Sequence, residues 1–150
     1  MKEGGLVLAG RHLGVLEGTQ VLFQDLFDTI VLVADERSLF HATLKLSPDL
    51  VIVDLSISEK SDLCLAERLL ESHSSLRLVI LSVYEDISVA HRVIAAGAKG
   101  YVVRRAIGTD ILPAVYAAMA GRSFVSPLVY AENDELKRLE NQLAIQSGDD

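Results

Sequence analysis

Four short apolar runs of this chain each stop on a residue able to do chemistry. LVLAGRH stops at Gly10 and Arg11, and DLVIVDLS carries Asp54 at the end of its Val and Ile run. VILSV closes on Ser82, and GAKGYVVRR ends on Arg104. In open α/β sheets, ligands and chemistry gather just beyond the carboxyl ends of the strands. If these runs are neighbouring strands, their ends supply an acid, a hydroxyl and a cation to one place. The carboxylate could then bind or react, with the guanidinium as its charge partner.

The elements that must position these residues are legible in the pattern. Runs rich in Val, Ile and Leu recur at Leu6 to Ala9, Thr29 to Ala34, Leu50 to Val53, Leu78 to Leu81 and Gly100 to Val103. Most are continuous rather than alternating, as expected of parallel strands covered on both faces. Helical spacing fills the gaps. Leu13, Leu16, Phe23 and Phe27 mark a first helix, and Leu39, Thr43 and Leu46 a second that stops at Ser47-Pro48. Leu63, Leu65, Leu69 and Leu70 mark a third, and Ile87, Ala90, Val93 and Ile94 a fourth ending at Gly97. Thr109 is placed to cap a fifth that runs through Ile111, Val115 and Met119 to Gly121. Strict alternation of this kind predicts a doubly wound α/β domain with a five-stranded parallel sheet over residues 1–127. Beyond Pro127, Val129, Leu136, Leu139 and Leu143 fall near heptad spacing, predicting an extra C-terminal helix over 128–146 and a disordered tail at 147–150.

Composition bounds the function. The 150 residues are 50% hydrophobic, ample for one core, and the net charge of -7 opposes direct nucleic-acid binding in the absence of a basic cluster. No run approaches the roughly 20 apolar residues of a membrane span, and nothing reads as a secretion signal, so a cytoplasmic location is expected. Cys64, the one cysteine, is read as packing. His12, His41, His73 and His91 are scattered through different segments, which does not suit a metal site. A small hydrolase would need a G-x-S-x-G elbow, and none is present. The chain is expected not to be an enzyme.

The stretches PDLVIVDLS, RLVILSVYED, VIAAGAKGYVVR and ILPAVYAAMAGRSFVSP together resemble the receiver domain of bacterial two-component response regulators. The most similar receivers are those that precede a helix-turn-helix output domain. The resemblance implies the flavodoxin-like (βα)5 receiver fold. It places Asp54 on the aspartate that accepts a phosphoryl group from a kinase histidine, and Ser82 and Tyr101 on the two switch positions. Arg104 takes the place of the family's lysine, keeping the charge but exchanging a point charge for a planar fork.

One departure is large. Receivers carry two acidic residues after the first strand to hold Mg²⁺, and here Gly10 and Arg11 stand there. Two negative charges become one positive, so Mg²⁺ binding is not expected and no other cofactor is implied. Asp35 and Glu36 imitate the acidic pair, but they follow the second strand. In the family's strand order that strand lies two strands from Asp54, about 10 Å at ~4.8 Å per strand. The resulting reading is a receiver-like, phosphorylation-independent protein-interaction module in phosphorelay signalling, a pseudo-receiver in which Arg11 pairs with Asp54. The alternative is a working phosphoacceptor, phosphorylated on Asp54 by a histidine kinase, with Arg11 and Arg104 clamping the phosphate. Expected partners are a histidine kinase or another signalling protein. A second copy could pair through the C-terminal helix or through the fourth helix, fifth strand and fifth helix. By the family's pattern that second face would present Tyr84, His91, Arg92, Arg105 and Tyr116.

Overall fold

Continuous apolar strands can be buried only where helices cover both faces, and that is where they lie. The computed structural model describes residues 3–54, 62–130, 139, 142 and 143. β1 (Glu3–Ala9), β3 (Leu50–Asp54), β4 (Leu78–Ser82) and β5 (Gly100–Val103) form the middle of one parallel sheet. β2 (Phe27–Val33) and a short β6 (Phe124–Val125) are its edges, giving the order β2-β1-β3-β4-β5-β6. Between them run α1 (Leu13–Phe23), α2 (Glu36–Leu46), α3 (Asp62–Ser72), α4 (Ile87–Ala95) and α5 (Ile107–Met119).

Alternation along the strands divides the core into two layers. Val7, Val51, Val53, Ile80 and Tyr101 pack against α2, α3 and α4. Leu6, Leu8, Ile52, Leu81 and Val102 pack against α1 and α5. The doubly wound parallel fold expected from the sequence is the fold observed.

Local chemistry sets the helix ends. Asp35 caps α2 by accepting from the Ser38 N–H at 2.7 Å, and Asp86 caps α4 by accepting from Ser88 N–H at 2.8 Å. Ser47 adopts a left-handed φ of 43° after α2, and Pro48 prevents its continuation. Gly121, at φ 78°, follows α5, where the Arg122 N–H reaches back to the Ala117 carbonyl at 2.8 Å.

Four expectations are corrected. Phe27 is not on the first helix: α1 ends at Phe23, and Phe27 opens β2 after a turn. The two rings still meet edge to face, with centroids 6.2 Å apart, in the same core layer. Burial of both explains the misleading spacing of four. Thr109 is not the cap of α5, because a single 3₁₀ turn, Arg104–Ala106, leads into a helix that already starts at Ile107. The Thr109 hydroxyl instead bonds the Ala106 carbonyl at 3.1 Å. A sixth strand joins the predicted five, pairing Phe124 and Val125 with Gly100 and Tyr101. The second strand begins at Phe27 and ends at Val33, where Thr29 and Ala34 were expected.

Residues 127–130 turn into a helix, with Pro127 at its first position, where a missing N–H costs least. Val129 from this turn is buried in the layer that holds α4. The remainder of the expected helix and the tail at 147–150 lie outside the described residues, apart from Leu139, Gln142 and Leu143, which are helical. No helix among the described residues is long and apolar enough to cross a membrane.

Candidate functional site

Strand register brings the polar strand ends together. Ala9 is level with Val53, Asp54 with Leu81, and Ser82 with Val103. Gly10, Asp54, Ser82 and Arg104 therefore follow one another along the carboxyl edge of β1, β3, β4 and β5. Asp54 and Ser82 are almost wholly buried, at 2% and 1% exposure. Arg104 Nη2 lies 3.5 Å from Asp54 Oδ2, an ion pair longer than a good charge-assisted hydrogen bond. Arg11 stands exposed just past β1.

Gly10 is more than a missing acid. A Cβ at this position would lie 3.0 Å from the Asp54 Cβ and 3.3 Å from Leu16 Cδ2. The backbone of residue 10 is packed against Asp54 itself, and the Leu16 side chain occupies the adjoining space. Among the described residues the site thus holds one buried carboxylate, one adjacent guanidinium, one hydroxyl and an exposed second arginine.

The predicted switch residues share a partner that the sequence did not disclose. Tyr101 is fully buried, and its hydroxyl donates to the Tyr84 carbonyl at 2.8 Å. The Tyr84 N–H donates to Ser82 Oγ at 3.1 Å. Arg105, just past β5, grips Glu85 with two bonds of 2.6 Å. The segment joining β4 to α4 is therefore fixed at consecutive residues, and the Asp86 cap completes it. The Ser88 hydroxyl and N–H both bond Asp86 and hold its carboxyl below the ordinary value.

A second buried network lies behind β5. Ser126 accepts from the Val103 N–H at 2.9 Å and donates to Asp110 Oδ2 at 2.7 Å. It links the residue before Arg104 to α5 and to the turn that opens at Pro127. Nothing in residue type or spacing singled out Ser126; only the sixth strand brings it beside β5.

Other residues lie elsewhere. Asp35 caps α2, and Glu36 pairs with Arg68 on α3. β1 separates their strand from β3, so the sheet order keeps both away from Asp54. Tyr84, His91, Arg92, Arg105 and Tyr116 are exposed, and His91 Nε2 lies 3.1 Å from the Tyr130 hydroxyl.

Comparison with known proteins agrees with this geometry. The chain is 28% identical over 125 residues to the oxygen regulatory protein NreC of Staphylococcus carnosus (strain TM300), covering 81% of this chain and 58% of that protein. It spans little more than half the length of the curated relatives it matches. A LuxR-family two-component response regulator from Aurantimonas sp. SI85-9A1 has a similar fold, with a TM-score of 0.77 and 23% identity. That match covers 89% of this chain and 96% of the other. The isolated REC domain of RcsB from Salmonella enterica serovar Typhimurium also scores 0.77, at 20% identity over 87% of this chain and 98% of that one. Residues 12–116 match the response regulator receiver domain, beginning directly after Gly10 and Arg11. With the strand order, the strand-end aspartate and this match in agreement, the chain belongs to the response regulator receiver domain family.

Proposed function

We propose that this receiver domain works as a protein-interaction module that does not depend on phosphorylation of Asp54. The observation that carries the reading is the tight packing of Gly10 on Asp54: a Cβ there would stand 3.0 Å from the Asp54 Cβ, so an acid enters only if its neighbours shift by a few tenths of an ångström. Magnesium demands oxygen ligands in near-octahedral geometry and is usually held by one or two carboxylates plus phosphate oxygens. The strand ends offer one carboxylate, already in an ion pair with Arg104, and Arg11 in place of the second acid. That donor set does not fit the ion. Phosphoryl transfer also needs positive charge on the moving oxygens and an in-line approach to the acceptor. A guanidinium on the nucleophile supplies charge but also engages the carboxylate.

Signalling would then run through the surface. The pinned segment between β4 and α4 presents Tyr84, and the neighbouring face presents Arg92 and Tyr116, as a docking face for a kinase, another signalling protein or a second copy. The location is taken as cytoplasmic, in line with the family's role in two-component signalling.

The test is mass spectrometry of the chain after incubation with acetyl phosphate and Mg²⁺, with acid-stable trapping of the acyl phosphate. No adduct on Asp54 is expected. A stoichiometric adduct mapped to Asp54 would replace this reading with that of a working phosphoacceptor in which Arg11 and Arg104 clamp the phosphate.

A further inference from the structure

The open edge of the sheet carries an unusual combination of features. Arg37, His41 and Lys45 recur every four residues along α2, a spacing that sets three side chains in one stripe. All three are exposed, and none has a hydrogen bond or ion pair among the described residues, although Arg37 acts at longer range on Asp35. In a chain of net charge -7 this stripe is locally basic.

The stripe borders a groove of about 590 Å³ whose apolar lining comes from Val31 and Val33 of β2 and Ala42 and Leu46 of α2. A second hollow of about 330 Å³ shares Val31 and Leu46 and extends the groove past Thr29 to Pro48. Leu46 is 51% exposed, so the groove is open to a partner rather than closed over.

β2 is also an edge strand with an unused hydrogen-bonding side. The Val33 carbonyl accepts from the Gly10 N–H at 3.0 Å, so residue 33 faces β1. With a period of two, Ile30 and Leu32 turn their amides and carbonyls outward. Natural edges are commonly blunted by charge or proline; here Asp28, exposed near the start of β2, is the charge, and Ile30 to Val33 beyond it is wholly apolar.

We infer that this edge binds an extended polypeptide segment, added as a further strand beside β2, in which every second residue faces α2 and these residues are apolar and acidic in turn. Its backbone would pair with Ile30 and Leu32. Its apolar side chains would fill the groove, and its carboxylates would meet Arg37, His41 and Lys45. A second copy fits less well. Two-fold pairing of β2 with β2 would set both basic stripes on the same side of the joined sheet, where like charges repel. Single-stranded nucleic acid lacks the extended stacking platform it needs here, since no Phe, Tyr or Trp lines the groove. This surface stands two strands from Asp54 and is independent of whether Asp54 is phosphorylated.

The test titrates the ¹⁵N-labelled full chain with a peptide of repeating Glu-Ser-Val-Ser, which sets glutamate and valine on one face of a strand, against a Lys-Ser-Val-Ser peptide of equal length. The expected result is shifted amides from Ile30 to Lys45 with the acidic peptide only, and slowed hydrogen exchange at Ile30 and Leu32. The double variant Arg37→Glu/Lys45→Glu, both exposed positions, should lose about tenfold in affinity and come to prefer the lysine peptide. Equal binding of the two peptides, shifts confined to other surfaces, or displacement of the peptide by oligothymidylate would overturn the proposal. So would concentration-dependent self-association through β2.

Discussion

Tyr101 and Tyr84 are joined through a single hydrogen bond, from the buried phenol of the first to the carbonyl of the second at 2.8 Å. Because the Tyr84 N–H in turn donates to Ser82 Oγ, one peptide segment is bonded to both of the residues that the resemblance places on switch positions. A phenol inside a close-packed core has few alternatives for its hydroxyl, so this bond fixes the ring as well as the loop. Tyr101→Phe should leave the ring packed and remove only the bond. We expect a loss of about 1 kcal/mol in urea unfolding and faster hydrogen exchange in the segment between β4 and α4. An unchanged exchange rate there would show that the bond does not order the loop.

Ser126 should be a far more costly position than its size suggests. Ser126→Ala leaves the buried Val103 N–H and Oδ2 of the buried Asp110 without this partner, while Oδ1 keeps its bond from Thr109. The expected destabilisation is about 2–6 kcal/mol, from about 1–3 for each of the two stranded groups. A double-mutant cycle with Asp110→Asn should reveal a coupling of at least about 0.5 kcal/mol, whereas additive effects would deny the network.

Millimolar Mg²⁺ should leave the melting temperature unchanged. Residue 11 is exposed, so Arg11→Asp adds a second carboxylate beside Asp54 without the crowding found at residue 10. The variant should show a saturable rise in melting temperature with Mg²⁺, abolished by Asp54→Asn. A shift of equal size in the unaltered chain would mean that Asp54 binds the ion despite Arg104.

Acid should loosen two helix starts. Bonds from Ser38 hold Asp35, and bonds from Ser88 hold Asp86, below the ordinary carboxyl value of 3.8. Depressed folded values mean that the stabilisation is present above 3.8 and disappears as pH falls through the lowered ones. Asp35→Asn/Asp86→Asn keeps a capping oxygen but removes its titration. The melting temperature of this variant, followed by circular dichroism, should therefore fall less steeply than that of the unaltered chain below pH 3.8.

The sheet was legible because burial on both faces leaves a direct mark: Leu50 to Val53 and Leu78 to Leu81 have no polar residue to suggest any other place. Strand ends were equally plain, since Asp54, Ser82 and Arg104 interrupt such runs. Phe27 misled because two aromatics spaced by four bury into one layer whether or not a helix joins them. Phe124 and Val125 escaped notice because two residues carry no periodicity, and Thr109 misled because a 3₁₀ turn moved the helix start upstream. The bonds to Tyr84 use its main chain, which no side-chain pattern encodes. Ser126 is important through partners at 103 and 110, and pairings that distant leave no local signature.

The crowding at Gly10 has a historical consequence. An acid reinstated there meets Asp54 on one side and Leu16 on the other, so one of these neighbours must yield by a few tenths of an ångström to admit it. Because Gly10 and Arg11 both stand where the family's acids would be, one substitution does not restore the pair. Loss of the pair is therefore easier to make than to undo: two positions must change, and the contacts around residue 10 must adjust as they do.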